Sequence, residues 1–194
     1  MSKFTKISTN IADLYIIEPY VFGDQRGYFF EAYNKKDFFD IGLTLDFVQD
    51  NESLSVKNVL RGLHVQKRYP QGKLVRVLNG AIYDIAVDLR KNSSSFGKWC
   101  GVELSEDNKR QFYIPEGFAH GFYVLSDYAK VLFKVTDYWH PNDEIGIPWD
   151  DSLLGIDWHI PNGEKPIIAE KDMHYLPLAE RLESEITDES TINS

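Results

Sequence analysis

The sequence contains a single cysteine, Cys100, among its 194 residues. One thiol cannot form a disulfide within the chain, which predicts a protein of a reducing compartment. Cys100 follows Trp99 in a run typical of a strand, and this favours a buried structural thiol over a nucleophile. No apolar run has the length of a bilayer span, and the first ten residues lack the apolar segment of a signal peptide. We therefore expect a cytoplasmic protein with no membrane partner.

An excess of positive charge is also absent, since the formal net charge is -9. Nucleic-acid binding requires an extended positive surface, so we expect no nucleic-acid partner. Internal repeats and low-complexity segments are absent, while 43% of the residues are hydrophobic and 14% aromatic, as in folded globular proteins. The prediction is one domain over residues 1–178, followed by an acidic C-terminal tail over residues 179–194.

Many short β-prone segments separated by turn residues are what the sequence does contain. Strands are predicted at Lys98 to Leu104, Arg110 to Ile114, His120 to Leu125 and Lys130 to Tyr138, and one short helical turn at Lys35 to Ile41. No long helical period occurs before the C-terminal end. The pattern predicts an all-β protein, and a jelly-roll barrel with short peripheral helices is the architecture that hides its strand edges.

The segment Asn79-Gly80, between two β-prone runs, is the strongest local signal. It predicts a β-hairpin with a two-residue type I′ turn, in which Val75 pairs with Asp84. Alternation along the two strands then places six side chains on one face: Lys73, Val75, Val77, Ile82, Asp84 and Ala86. Lys73 and Asp84 are thus expected to point into the same space.

A basic segment surrounds His64. Six basic residues and no acidic ones lie between Ser53 and Tyr83, although the chain as a whole is acidic. Such a segment indicates an anionic small molecule as partner. In a regular strand Arg61 and His64 would face opposite ways, but a bulge at Gly62 would bring both to one pocket. A packed wall histidine is the competing interpretation of His64.

The remaining candidate residues are ambiguous when taken one at a time. Tyr138 ends a predicted strand, and its phenol is consistent either with a group that points into the mouth of the barrel or with a packed aromatic. Arg26 is consistent with a surface charge or with a phosphate ligand. His64 is followed by Val65-Gln66 rather than by a second histidine, and His120 stands among apolar residues. This disfavours a metal site.

Several ordered motifs together resemble one family, the dTDP-4-dehydrorhamnose 3,5-epimerases. The matching segments are F-G-D-Q-R-G-Y-F-F-E (22–31), Q-D-N-E-S (49–53), R-G-L-H-V-Q (61–66), Q-G-K-L-V-R-V (71–77), Y-D-I-A-V-D-L-R (83–90), I-P-E-G-F-A-H-G-F (114–122), T-D-Y-W-H-P (136–141) and G-I-D-W (155–158). The resemblance spans about residues 10–178. It implies a cupin-type barrel and an isomerase of a dTDP-4-keto-6-deoxyhexose, inverting C3 and C5 through enolates on the route to dTDP-L-rhamnose.

The resemblance also implies roles for individual residues. His64 would be the base, Asp172 would orient it, Tyr138 would be the acid, and Lys73 would stabilise the enolate. Substrate-binding roles would fall to Arg26, Phe29, Glu31, Gln49, Asn51, Arg61 and His120. Asp84 would support these residues without contacting the substrate itself. Neither a metal nor a cofactor would be needed, and the assembly would be a homodimer in which the early strands of one chain complete the other site.

Three alternatives stay open from the sequence. An epimerase acting at C3 alone or C5 alone would use the same residues, because the enolate chemistry is then used once. A non-catalytic sugar-binding barrel would lack the base or the acid, whereas His64 and Tyr138 are both present. A metal-dependent oxygenase barrel is disfavoured by the small number of candidate ligands.

Overall fold

The computed structural model describes residues 3–182. Over this range the chain forms the strands β1 (Phe4–Ser8), β2 (Tyr15–Pro19), β3 (Phe22–Asp24), β4 (Gly27–Phe29), β5 (Gln49–Val56), β6 (Leu60–Gln66), β7 (Lys73–Asn79), β8 (Ala81–Asp88), β9 (Trp99–Ser105), β10 (Gln111–Ile114), β11 (Phe118–Val124), β12 (Tyr128–Val135) and β13 (Glu144–Gly146). The helix α1 (Lys35–Asp40) and a 3-10 helix (Glu170–Met173) are short. The prediction of an all-β chain with short peripheral helices is confirmed.

Two antiparallel sheets face each other. The larger sheet has the order β1-β2-β10-β7-β12-β5, and the smaller has the order β13-β6-β11-β8-β9. Neighbours in each sheet are mostly far apart in sequence, so the chain passes repeatedly from one sheet to the other, as in a jelly roll. The strands β3 and β4 form a separate two-stranded hairpin.

The interior between the sheets is filled by alternate residues of the strands. Val75, Val77, Ile82 and Ala86 belong to this central cluster, together with Phe112 and others. The opposite faces of both sheets are also covered, because a second cluster forms around Trp158 and Leu178 and a third around Phe38 of α1. Asn34 starts α1 by accepting hydrogen bonds from the backbone N–H groups of residues 36 and 37.

The predicted hairpin at Asn79-Gly80 is wrong. The strands β7 and β8 do not pair: β7 lies between β10 and β12, whereas β8 lies between β11 and β9 in the other sheet. Only Gly80 has a positive φ, +77°, so the turn lacks the two left-handed residues of type I′. A Cβ on Gly80 would lie 2.1 Å from the carbonyl oxygen of Tyr128, which shows how closely the start of β12 approaches this turn.

The separation of these strands has a physical reason. A tight-turn signal is local, whereas each of the two strands gains ladders on both edges by joining a different sheet. The predicted faces nevertheless hold, because the alternation of side chains along each strand is independent of its partner. Lys73 and Asp84 accordingly interact across the interior, as predicted.

The C-terminal part of the chain packs on the outside of the smaller sheet. Residues 178–182 are helical, Leu178 is buried, and Leu182 packs against the second cluster. The predicted tail over residues 179–194 falls largely outside the described residues, so its boundary stays a prediction. Within residues 3–182, no helix combines the length and apolar composition needed to cross a bilayer.

Candidate active site

A hydrogen-bonded histidine and aspartate form the centre of the site. His64 Nε2 on β6 lies 2.8 Å from Asp172 Oδ1 on the 3-10 helix. Asp172 is 2% exposed and also accepts hydrogen bonds from the Gly62 N–H and the Tyr175 hydroxyl. Burial raises the pKa of Asp172, but the hydrogen bond and charge of His64 and these other donors outweigh it and lower the pKa. An ionised carboxylate that orients an imidazole is the arrangement of a general base.

The predicted bulge at Gly62 is confirmed. In the pairing of β11 with β6, His120 faces His64 while Phe122 faces Arg61, so the register shifts between them. Gly62 has φ +117°, and a Cβ there would lie 2.6 Å from the Cα of Gly121. Only glycine tolerates both conditions. As a result Arg61 and His64 line the same cavity.

Lys73 is buried at the start of β7. Burial lowers the pKa of its ammonium group to about 8, against the opposing charges of Glu144 and Asp84. The amine therefore loses its proton closer to neutral pH than an exposed lysine does. A desolvated cation at this position interacts strongly with negative charge that develops nearby.

Asp84 and His120 form a second buried pair, with His120 Nε2 2.6 Å from Asp84 Oδ1. Burial lowers the pKa of His120 and raises that of Asp84, so it favours the uncharged form of both partners. His120 lines the cavity, and Asp84 lies behind it. Among the described residues, Asp84 Oδ2 has no hydrogen-bond partner, so the carboxyl group contacts the cavity only through His120 and the charge of Lys73.

A cavity of about 610 Å³ joins these groups. Six of the predicted residues line it: Asn51, Arg61, His64, Lys73, His120 and Asp172. Arg61 is held by a 2.9 Å hydrogen bond from its Nε to Ser55 Oγ. Gln49 donates a 2.7 Å hydrogen bond to Asn51 Oδ1, because the two residues lie two positions apart on the same face of β5. Three basic side chains (Arg61, Lys73 and Lys171) and two carboxylates (Glu144 and Asp172) line the cavity, so basic groups are in slight excess and the cavity suits an anionic, hydroxylated ligand.

Tyr138 does not line this cavity. Its side chain is 59% exposed, three residues beyond β12. Its backbone carbonyl accepts a 3.1 Å hydrogen bond from Gln66 Nε2, and the N–H of Trp139 donates to Gln49 Oε1. Trp139 itself lines the cavity. The loop that carries Tyr138 is therefore anchored at the cavity. The role of Tyr138 as the acid stays a prediction.

Arg26, Phe29 and Glu31 also lie outside the cavity of their own chain. Arg26 and Phe29 belong to the β3–β4 hairpin, where Arg26 forms an exposed ion pair with Asp24. Glu31 is bound by the Lys3 ammonium and the Asn34 amide. The hydrogen bond from Lys3 lowers the pKa of Glu31. Their predicted roles in nucleotide binding stay predictions.

Several cavity residues were not predicted from the sequence: Ser53, Gln71, Trp139, Glu144 and Lys171. Gln71 and Trp139 lie inside recognised motifs and could have been found there. Glu144 lies in a loop-rich segment with no periodicity that would place it. Lys171 donates a 2.5 Å hydrogen bond to Glu144. Burial raises the pKa of Glu144, but Lys171, His64 and Trp139 outweigh it and lower the pKa.

Cys100, predicted to be buried, is half-buried on β9 and does not line the cavity, and burial raises the pKa of its thiol. Within residues 3–182, no group of three or more histidine, cysteine, aspartate and glutamate side chains is placed to hold a metal ion. The metal-independent reaction stays a prediction.

Comparison with known proteins identifies the family. The family model of dTDP-4-dehydrorhamnose 3,5-epimerase matches residues 8–180. The dTDP-4-dehydrorhamnose 3,5-epimerase of Methanothermobacter thermautotrophicus is 54% identical over 180 residues, covering 93% of this chain and 97% of that protein. The enzyme of Escherichia coli is 53% identical over 176 residues, covering 90% and 94%.

A solved structure extends the match to three dimensions. The dTDP-6-deoxy-D-glucose-3,5-epimerase of Legionella pneumophila, in complex with dTDP-4-keto-L-rhamnose, superposes with a TM-score of 0.87 at 51% identity and covers 91% of this chain and 93% of that chain. The neighbours share the cupin-type fold, as the sequence predicted. The chain therefore belongs to the dTDP-4-dehydrorhamnose 3,5-epimerase family of isomerases.

Proposed function

We propose that this protein epimerises a dTDP-4-keto-6-deoxyhexose at C3 and C5 through enolate intermediates, without a cofactor. The observation that carries the proposal is one cavity in which the His64–Asp172 pair lies together with the buried Lys73. The close similarity to 3,5-epimerases supports the substrate class.

The first half of the reaction removes a proton from a carbon next to the C4 ketone. Neutral His64 takes the proton, and Asp172 stabilises the resulting imidazolium. The electron pair of the broken C–H bond forms a C–C double bond, and negative charge moves to the C4 oxygen. Lys73 as a cation stabilises this enolate oxygen without reorganisation, because burial already fixes it in place. Arg61 and His120 hold the sugar oxygens from the cavity wall.

The second half returns a proton to the opposite face of the same carbon. We assign this step to Tyr138. None of the described residues that line the cavity is a tyrosine, so a phenol that acts as the acid would reach the sugar from the rim. Tyr138 is next to Trp139, which lines the cavity, and its loop is anchored there through Gln66 and Gln49. His64 then releases its proton to solvent and Tyr138 takes one up, and the same two steps at the second carbon complete the double inversion.

The nucleotide part of the site is proposed to come from a second copy of the chain in a homodimer. The β3–β4 hairpin consists entirely of exposed residues, including Phe22, Tyr28 and Phe29. An isolated two-stranded hairpin with exposed aromatic residues is marginally stable in water, and it gains stability by packing on a partner. In the partner's site Arg26 would bind the diphosphate and Phe29 would stack on the thymine, with Glu31 and Gln49 nearby.

The remaining assignments follow from composition and packing. We propose residues 1–178 as one catalytic domain, followed by an acidic tail. The single cysteine supports a cytoplasmic location, and the net charge of -9 supports a role without nucleic acid.

Incubation of the protein with the 4-keto sugar nucleotide in D2O, followed by NMR, tests the proposal. We expect deuterium at both C3 and C5 of the sugar. Deuterium at C3 alone would show that the protein inverts only C3. Exchange at neither carbon in folded wild-type protein would overturn the epimerase assignment and leave a sugar-binding barrel.

A further inference from the structure

Tyr175 contacts both members of the His64–Asp172 pair. Its hydroxyl donates a 3.1 Å hydrogen bond to Asp172 Oδ1, the same oxygen that lies 2.8 Å from His64 Nε2. Its ring meets the His64 imidazole edge-on, with the ring centroids 5.9 Å apart and the planes at 81°. The side chain is half-buried and does not line the cavity. Tyr175 therefore acts on the pair from outside the substrate's space.

Gly146 makes room for this ring. It lies on β13 directly opposite His64 in the pairing of β13 with β6. A Cβ on Gly146 would lie 2.1 Å from Cε2 of the Tyr175 ring. Gly146 is not among the residues with positive φ, so space rather than backbone conformation requires glycine here. The Gly146 carbonyl accepts a 2.9 Å hydrogen bond from Arg181, which helps to fix the strand under the ring.

The charges around Tyr175 keep its hydroxyl protonated. Burial and the neighbouring Asp172 carboxylate raise its pKa, Glu144 acts in the same direction, and Arg181 opposes them. The phenol is therefore a permanent donor at working pH. The hydrogen bond from Tyr175 in turn helps to lower the pKa of Asp172. Asp172 is also influenced by His64 and by the Gly62 N–H, so these groups share control of its charge.

We propose that Tyr175, seated on Gly146, is a positioning residue for the catalytic base: its hydroxyl orients the Asp172 carboxylate and its ring limits the rotation of His64. The inference rests on the proposed function, because it assigns Tyr175 a part in that same proton abstraction. A fixed base close to the target carbon is worth much more than a mobile one, since small misplacements reduce the rate strongly.

The variant Tyr175→Phe retains the ring and removes the donor, and it tests the hydroxyl. We expect kcat to fall about tenfold with KM changed less than about twofold, because a hydrogen bond to a charged group is lost outside the binding surface. Removal of the donor leaves more negative charge on Asp172 Oδ1, which stabilises the imidazolium. The acid limb of log kcat against pH should therefore move to higher pH.

Tyr123→Phe is the matched control. Tyr123 is a packed phenol that donates a 2.9 Å hydrogen bond to Asn58 and does not line the cavity. We expect it to retain wild-type kcat and the wild-type pH profile. If Tyr175→Phe retains the wild-type kcat and acid limb, the inference is overturned. A fall in kcat with an unshifted acid limb would also overturn it, because a general structural effect would then suffice.

A double-mutant cycle tests the seat on Gly146. Gly146→Ala should reduce kcat more than Tyr175→Phe does, because the methyl group displaces the ring. In a Tyr175→Leu background, Gly146→Ala should reduce kcat by less than about a third of the factor seen in the wild-type background, since no ring remains to be displaced. Equal reductions in the two backgrounds would show that Gly146 does not act by making room for the Tyr175 ring. Wild-type deuterium exchange in the same assay separates the two proposals: its absence refutes the epimerase assignment, while its presence with normal Tyr175 variants refutes only this inference.

Discussion

The cavity and the β3–β4 hairpin are opposites in the same chain. The side chains at the centre of the cavity are buried and paired: Asp172 is 2% exposed and bound to His64, and Asp84 is bound to His120. Every residue of the hairpin is exposed, and Arg26 forms an ion pair with Asp24 of the same hairpin. This difference fits our proposal that each chain holds the base and the enolate-stabilising cation in its own cavity, while its hairpin binds the nucleotide in a partner subunit.

This contrast follows from the cost of burying charge. A buried carboxylate or ammonium is stable only with partners, so the groups that perform proton transfer need a preformed network. Groups that bind a diphosphate act at the surface and can be supplied by a neighbouring subunit. If this is correct, changes in the cavity should affect turnover, and changes in the hairpin should affect binding and be rescued in mixed dimers.

His64→Asn should have the largest effect. We expect kcat to fall about 10³-fold with little change in KM, because a positioned general base contributes roughly 10²–10⁴-fold. Initial rates with the 4-keto sugar nucleotide provide the measurement. His159→Asn is the matched control, since His159 is exposed and has φ +55°, which asparagine tolerates. Full deuterium exchange by His64→Asn would show that another group is the base.

Replacement of Lys73 should have the next largest effect. Lys73→Met should reduce kcat about 10²-fold, because one preformed donor to a developing oxyanion is worth roughly that factor. In the wild type the Lys73 cation is present below its pKa of about 8 and is lost as the pH rises through it. We therefore expect kcat/KM to decline above about pH 8.

Lys73→Arg sharpens the same prediction. Arginine stays protonated at every pH tested, so the residual activity of this variant should not decline near pH 8. A basic limb that is unchanged in Lys73→Arg would contradict the assignment of that limb to Lys73. Glu144 and Asp84 are the carboxyl groups whose charges act on Lys73, and neither is altered by the substitution.

Arg26→Ala should have a smaller effect, mainly on KM, which we expect to rise about tenfold through loss of a charge-assisted phosphate contact. Arg110→Ala is the control, because Arg110 is likewise paired with one carboxylate, that of Glu18. If Arg110→Ala reduced kcat/KM as much as Arg26→Ala does, the effect would be a general one of charge and not specific to the hairpin.

Mixing of Arg26→Ala and His64→Asn subunits tests whether the hairpin serves a partner. Random mixing makes half of the dimers mixed, and each mixed dimer has one intact site if Arg26 acts in the partner. At substrate concentrations well below KM, activity should recover to roughly a quarter of the wild type. If Arg26 acts within its own chain, mixing should add nothing beyond the average of the two variants.

Much of the site could be predicted from the sequence because its residues lie in recognisable segments. His64, Arg61 and Lys73 occur within one basic segment, and the bulge at Gly62 followed from the spacing of Arg61 and His64. Glu144 and Tyr175 could not be predicted. They lie in segments without periodicity, and they reach the site only because β13 pairs with β6 and because the 3-10 helix packs beside it.

The sequence by itself determined the all-β class, the faces of β7 and β8, and the family, because alternation and ordered motifs are properties of the chain alone. Only the tertiary structure decided which strands pair. It separated β7 from β8, and it brought Asp172 to His64 across 108 residues. The physical reason is that a ladder or a hydrogen bond between distant segments depends on competition among all possible partners, and no local pattern records the outcome of that competition.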